Sequence, residues 1–73
     1  MDRQRLRERI AQRPNAVRFR EIKQLLEAYG WEHRHGKGSH EVFTRAGERF
    51  VVPFRRRHVS AVYVRQALQR CKE

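Results

Sequence analysis

The sequence predicts a small α+β domain in which two helices cover one face of a three-stranded antiparallel sheet. Three observations predict this fold: an amphipathic helical pattern over residues 19–29, a change to two-residue alternation from Trp31 onward, and a second apolar helical stripe over residues 59–72. The chain has 73 residues, of which 38% are hydrophobic, so it can form one thin core and no second domain.

The two principal helices are predicted from apolar residues that recur at helical spacing. In the first, these residues are Phe19, Ile22, Leu25, Leu26 and Tyr29, and Gly30 follows at the position where a left-handed C-cap is favourable. In the closing helix they are Ala61, Val64, Ala67, Leu68 and Cys71. Each stripe is wide enough to pack against a sheet.

The N-terminal segment is a weaker helix. Residues 2–12 have only Leu6 and Ile10 as apolar anchors, and arginines surround them. Because so narrow a stripe buries little surface, we expect residues 1–16 to be a basic helical extension that docks weakly. Residues 17–73 then form the domain itself.

Three strands are expected between the principal helices, over residues 31–35, 39–45 and 48–53. The turn Ala46-Gly47 joins the last two as a hairpin, and Pro53 ends the third strand because proline cannot donate to a ladder. Side chains alternate along a strand, so Phe43 and Glu41 are expected to face the helices and His40 the open side.

Positive charge dominates the composition. Eighteen Lys and Arg against eight Asp and Glu give a net charge of +10, and most of the cations are arginines, which bind phosphate with two parallel hydrogen bonds. A polyanionic partner is expected, nucleic acid first and an anionic membrane or an acidic protein next. The run Arg55, Arg56 and Arg57 is predicted to contact phosphate, although a solvated connector is the alternative.

Other features of the composition bear on location. The single cysteine, Cys71, excludes an intrachain disulfide and is expected to be buried in a protein of a reducing compartment. No apolar run approaches the roughly 20 residues of a membrane span, and the N-terminus lacks the apolar region of a secretion signal. A cytoplasmic protein that does not enter the membrane is therefore expected.

The stretch H-G-K-G-S-H-E-V-F, residues 35–43, carries the candidate chemistry. Gly36 and Gly38 allow positive φ and the close approach of a ligand, Lys37 supplies a cation, and Ser39 supplies a hydroxyl. His40 can move a proton, and the charges of Lys37 and Arg34 favour its neutral form. The set suits a phosphodiester, although a hairpin loop with a histidine at a strand end is the structural alternative.

Several segments together resemble the HicA toxins of bacterial toxin–antitoxin pairs. They are F-R-E-I-K-Q-L-L-E-A-Y-G-W, then G-S-H-E-V-F, then V-V-P-F and V-Y-V-R-Q-A-L, in one order over residues 17–70. The resemblance implies a fold like the double-stranded-RNA-binding domain, messenger-RNA cleavage, and a HicB antitoxin as partner. It also implies that His40 is the catalytic histidine, flanked by Gly38 and Ser39. No cofactor is expected, because the 2′-hydroxyl of RNA is an internal nucleophile that needs only deprotonation and stabilisation of the phosphate.

This chain departs from the family pattern directly after His40. Many members have a second histidine there, whereas this sequence has Glu41. The negative charge of Glu41 is expected to favour the charged form of His40, against the effect of Lys37.

Other readings remain open at the level of sequence. His33 and His35 share a strand face and could join His40, His58 and Cys71 around a metal, but this spacing fits no regular zinc site, so solvated histidines and no metal are expected. Among the aromatic residues only Phe54 is expected to be an exposed stacking platform. The alternative functions are a non-catalytic RNA-binding module of the same fold and an interaction protein for an acidic partner.

Overall fold

The computed structural model describes residues 2–73, which form helices and strands in the predicted order. The helices are α1 (Arg3–Ala11), α2 (Phe19–Ala28) and α3 (Ala61–Arg70), and the strands are β1 (Glu32–His35), β2 (His40–Arg45) and β3 (Glu48–Pro53). Within residues 2–73, no helix is long and apolar enough to cross a membrane.

The three strands form one antiparallel sheet with β2 at its centre. Phe43 of β2 lies opposite His33 of β1 and Phe50 of β3, and its side chain is completely buried under the helices. Because side chains alternate along β2, Glu41 shares this face and His40 lies on the other. The predicted assignment of faces is confirmed.

The core lies between this sheet face and the helices. It contains the apolar positions predicted for α2 and the inner positions of α3, closed by the aromatic rings of Trp31, Phe43 and Phe50. Guanidinium groups cover two of these rings, with Arg45 4.7 Å from the centroid of Trp31 and Arg70 4.3 Å from that of Phe50. Long basic side chains thus extend a thin core by shielding its edges.

Helix α1 packs against the domain, which differs from the weakly docked arm that its narrow stripe predicted. Ile10 is 0% exposed and belongs to the core. Arg7 donates from Nε to the carbonyl of Cys71 at 2.7 Å and from Nη2 to that of Leu68 at 2.8 Å. The last carbonyls of a helix lack intrahelical partners, so Arg7 satisfies the end of α3 and fixes α1 to it.

The connection into α3 stays extended two residues further than the sequence pattern indicated. The backbone N–H of Val59 donates to the carbonyl of Val17 at 2.8 Å, and the Val59 side chain is buried. This bond pairs the start of the α3 segment with the segment before α2. Helix α3 therefore begins at Ala61 rather than at residue 59.

Candidate active site at the tip of the first hairpin

The candidate site is built on the tight turn between β1 and β2. The backbone N–H of Gly36 donates to the carbonyl of His40 at 2.8 Å, and the N–H of His40 donates to the carbonyl of Lys37 at 3.0 Å. Gly38 has φ of +59°, a left-handed conformation that a residue with a Cβ adopts only with strain. The turn thus fixes the backbone of His40 at the first position of β2.

Gly36 is required for a reason other than positive φ. A Cβ built on Gly36 would lie 2.9 Å from the carbonyl oxygen of His40 and 3.0 Å from Cγ2 of Val42. Val42 is buried on the open sheet face, where the backbone of Gly36 lies against it. Positive φ is found at Gly30, Gly38 and Gly47 but not at Gly36, so the expectation of positive φ at Gly36 is wrong. The absence of a Cβ at Gly36 instead lets the two strands approach at His40.

The tip gathers most of the residues predicted for the site. Lys37, Gly38, Ser39 and His40 are exposed and consecutive along the turn. Arg34 lies opposite Val42, so it shares the open face of the sheet with His40 and is exposed as well. The imidazole of His40, the hydroxyl of Ser39 and the cations of Lys37 and Arg34 are therefore all exposed at this end of the sheet.

The arginine run begins beside this turn. The backbone N–H of Phe54 donates to the carbonyl of Ser39 at 2.6 Å, which joins the end of β3 to the residue before His40. Arg55, Arg56 and Arg57 follow, and all three are exposed. Their position beside the tip extends its positive charge.

On the other face of the hairpin, Glu41 links two histidines of β1. Its side chain is buried, with the residue 8% exposed, and its carboxylate accepts a hydrogen bond of 2.7 Å from Nε2 of His33 and another of 2.7 Å from Nδ1 of His35. Burial disfavours the charged carboxylate, but the two histidine hydrogen bonds outweigh it, so the pKa of Glu41 lies below its usual value. Glu41 is therefore ionised at neutral pH and accepts both bonds.

This arrangement corrects two sequence-based expectations. Glu41 was expected to act on His40, yet its carboxylate is bonded to His33 and His35 on the opposite face. His33 was expected to be solvated, yet the centroid of its ring lies 4.9 Å from the ring centroid of Phe43 and 5.6 Å from that of Phe19. The signal that could have found the cluster is strand register, because a short turn at 36–39 places His35 opposite Glu41.

The remaining candidates for metal chemistry, Cys71 and His58, are not part of the turn at the tip. Burial raises the pKa of the Cys71 thiol to about 11, so it stays protonated rather than forming the thiolate that binds metals. Within residues 2–73, no group of three or more His, Cys, Asp and Glu side chains is arranged to hold a metal ion. His58 is half-buried in the connector before α3.

Fold and site together define a small basic α+β domain with the exposed imidazole of His40 among cations, which is an arrangement suited to an anionic ligand. The family model described as the HicA toxin of bacterial toxin–antitoxin matches residues 19–72. The chain belongs to the HicA toxin family, and the predicted resemblance is confirmed. No curated protein and no solved structure matches the chain.

Membership of this family identifies the chain as the toxin of a toxin–antitoxin system, which implies an antitoxin partner. The α-β-β-β-α order of α2 to α3 agrees with the fold of the family, which resembles the double-stranded-RNA-binding domain. Helix α1 lies before the matched residues.

Proposed function

We propose that this toxin is an endoribonuclease that cleaves messenger RNA, with His40 as its acid/base residue and without a metal cofactor. The observation that supports this proposal is the position of His40. It is exposed at the start of β2, in the Gly-Ser-His element on which the resemblance to the family rests, and the cations Lys37 and Arg34 are exposed on the same hairpin.

RNA carries its own nucleophile, which reduces what the protein must supply. In the proposed reaction the imidazole of His40 accepts the proton of a 2′-hydroxyl, and the 2′-oxygen forms a bond to the adjacent phosphorus. The bond from phosphorus to the 5′-oxygen breaks, and that oxygen leaves with its electron pair and takes up a proton from solvent, while the imidazolium of His40 later returns its proton to solvent. The products are a 2′,3′-cyclic phosphate and a 5′-hydroxyl.

Cations at the tip stabilise the charge that develops on the phosphoryl oxygens. Lys37 and Arg34 are the residues assigned this role, and Gly38 and Ser39 are exposed in the same turn as Lys37 and are proposed to contact the same phosphate. Arg55, Arg56 and Arg57 bind neighbouring phosphates of the RNA, which positions the scissile bond without reading its sequence.

The antitoxin partner is proposed to be a HicB-like protein that occludes this site. Residues 36–40 and the arginine run lie side by side, so one acidic surface can cover both and block substrate and imidazole together. Because messenger RNA is the proposed substrate, we place the protein in the cytoplasm. Expression of the chain alone should arrest growth, and co-expression of its antitoxin should relieve the arrest; harmless expression of folded protein would contradict the toxin assignment.

The decisive experiment is RNA cleavage by His40→Ala, with His58→Ala as the matched control. The His40 side chain is exposed, so its removal should leave the fold and RNA binding intact. Cleavage should fall roughly 10²- to 10⁴-fold, which is the usual contribution of a positioned acid/base group. His58→Ala should cleave at the parental rate.

Three outcomes would count against the proposal. Parental cleavage by His40→Ala would place the active site elsewhere, and loss of cleavage by His58→Ala would make that histidine the next candidate. Absence of cleavage by the parental protein, combined with salt-dependent RNA binding, would favour a non-catalytic RNA-binding module.

A further inference from the structure

Phe54 is an exposed aromatic residue beside the candidate active site. It is 46% exposed, and among residues 2–73 the other large apolar side chain at the surface is Val62 of α3, which is 52% exposed. The backbone of Phe54 is fixed by its bond to the carbonyl of Ser39, and the preceding residue, Pro53, pairs with His40. An apolar ring is thus presented to solvent one residue from the partner of His40.

The ring of Phe54 is held in place from one side. Phe19, the first residue of α2, meets it in an edge-on contact with centroids 5.6 Å apart and an interplanar angle of 69°. Phe19 is itself anchored against the core, with its ring 6.1 Å from that of Phe43. The Phe54 ring therefore rests on a supported neighbour and leaves its remaining surface open.

Four arginines surround this pair of rings. Phe19 and Phe54 line a shallow groove together with Arg18, Arg20, Arg55 and Arg56, and none of the lining residues is acidic. An open aromatic ring among guanidinium groups fits the base and phosphates of a single-stranded nucleic acid, because the base stacks on the ring and the phosphates bind the arginines. An acidic peptide would use the arginines but would leave the ring exposed.

We propose that Phe54, supported by Phe19 and flanked by Arg18 and Arg20, is a nucleobase subsite for single-stranded RNA. Paired residues on neighbouring antiparallel strands have Cα atoms about 5 Å apart, and successive residues along a strand are about 3.3 Å apart. His40 and its partner Pro53 face the open side, whereas alternation turns Phe54 to the helix side, where it meets Phe19, so a strand that crosses this end of the sheet passes both side chains. The subsite takes a base close to the scissile phosphate, and only this placement rests on the proposed function.

The test compares two fluorescein-labelled eight-nucleotide strands by fluorescence anisotropy. The first is single-stranded RNA in which every sugar is 2′-O-methylated, which removes the nucleophile. The second has the same sugar–phosphate backbone without bases. Phe54→Ala should weaken binding of the first strand by roughly 5- to 150-fold, the range expected for loss of one stacked base, and should leave binding of the second unchanged.

Three further variants make the result specific. Phe54→Tyr keeps the aromatic face and should bind both strands like the parent, whereas Val62→Ala removes a comparably exposed apolar side chain from α3 and should have no effect. Phe54→Ala should not alter the salt dependence, because the ring is uncharged. Arg20→Ala should weaken binding of both strands and reduce the log–log salt slope by about 0.7.

Equal binding of the base-bearing strand by Phe54→Ala and the parent would overturn the subsite, as would equal weakening of both strands. Unchanged RNA binding together with lost binding of the antitoxin would also overturn it, because the groove would then dock a protein. His40→Ala should bind both strands like the parent. A failed catalytic assignment at His40 therefore leaves the Phe54 result standing, and a failed subsite leaves the cleavage result standing.

Discussion

Glu41 and His33 are joined across β1 and β2 by a hydrogen bond of 2.7 Å that lies on the helix side of the sheet. The imidazole of His33 contacts the rings of Phe19 and Phe43, so the bond connects the carboxylate to the edge of the core. His35 binds the other carboxylate oxygen from an exposed position. Glu41 thus satisfies two donors of β1 at the end of the sheet that carries His40 on its opposite face.

Glu41→Gln should lower the free energy of unfolding by about 1–2 kcal/mol at neutral pH, because hydrogen bonds to a charged acceptor are stronger than those to an amide. The folded-state pKa of Glu41 lies below the usual 4.5, so its stabilisation is present above that value and is lost as the pH falls through the folded-state pKa. The difference between parent and variant should therefore shrink in acid. Urea unfolding of parent and variant at pH 7 and pH 3.5 measures the loss of unfolding free energy and its change with pH. A loss of the same size at both pH values would contradict the argument. Glu32→Gln, on the open face of β1, is the control.

Arg7→Ala should destabilise the protein by about 1–2 kcal/mol. The substitution removes the hydrogen bonds from the guanidinium to the carbonyls of Leu68 and Cys71, and it leaves the end of α3 without these partners. Arg5→Ala removes an exposed arginine of the same helix and should change the free energy of unfolding little. Similar losses from both variants would mean that general charge, rather than capping of α3, accounts for the effect.

Ala46→Asn should stabilise the second hairpin by about 0.5–1 kcal/mol. Ala46 has φ of +50° and Gly47 has φ of +84°, so both central residues of this two-residue turn are left-handed. Asparagine tolerates this conformation better than alanine does, and Asn-Gly is the preferred pair for such turns. Thermal unfolding should show a raised Tm for Ala46→Asn, whereas Ala16→Asn, outside this turn, should give no such gain. A lowered Tm for Ala46→Asn would refute the turn argument.

RNA binding should weaken steeply as salt increases. If about five phosphates are bound by cations, the slope of log affinity against log salt on a single strand should be about −3 to −4, because each contact releases counterions. The affinity should be measured at salt concentrations from roughly 50 to 300 mM. The His40→Ala variant is used so that the RNA is not cleaved during the measurement. A slope near zero would show that the net charge of +10 does not serve RNA binding.

Local patterns in the sequence were sufficient to predict most of the fold. The stripe of α2, the alternation of the strands and the break at Pro53 each depend on residues close in the chain, and the structure has these elements within two residues of their predicted ends. The motif that carries His40 could be predicted for the same reason, because the turn at 36–40 is local. The catalytic role assigned to His40 stays a prediction.

Contacts between distant residues could not be predicted in this way. Two apolar residues in α1 predicted weak docking, yet Arg7 bonds the end of α3 across more than 60 residues of sequence. Its partners are carbonyls that any helix end exposes, so only the packing of α1 beside α3 determines which arginine reaches them.

The sequence by itself determined which segments form helices and strands, which residues lie at the hairpin tip, and how strongly basic the surface is, because these depend on composition and local periodicity. Tertiary structure decided that Glu41 binds His33 and His35 rather than acting on His40, and that Phe54 lies against Phe19 among four arginines. The physical reason is that strand register and helix docking set the distances between side chains, and both depend on how the whole core packs.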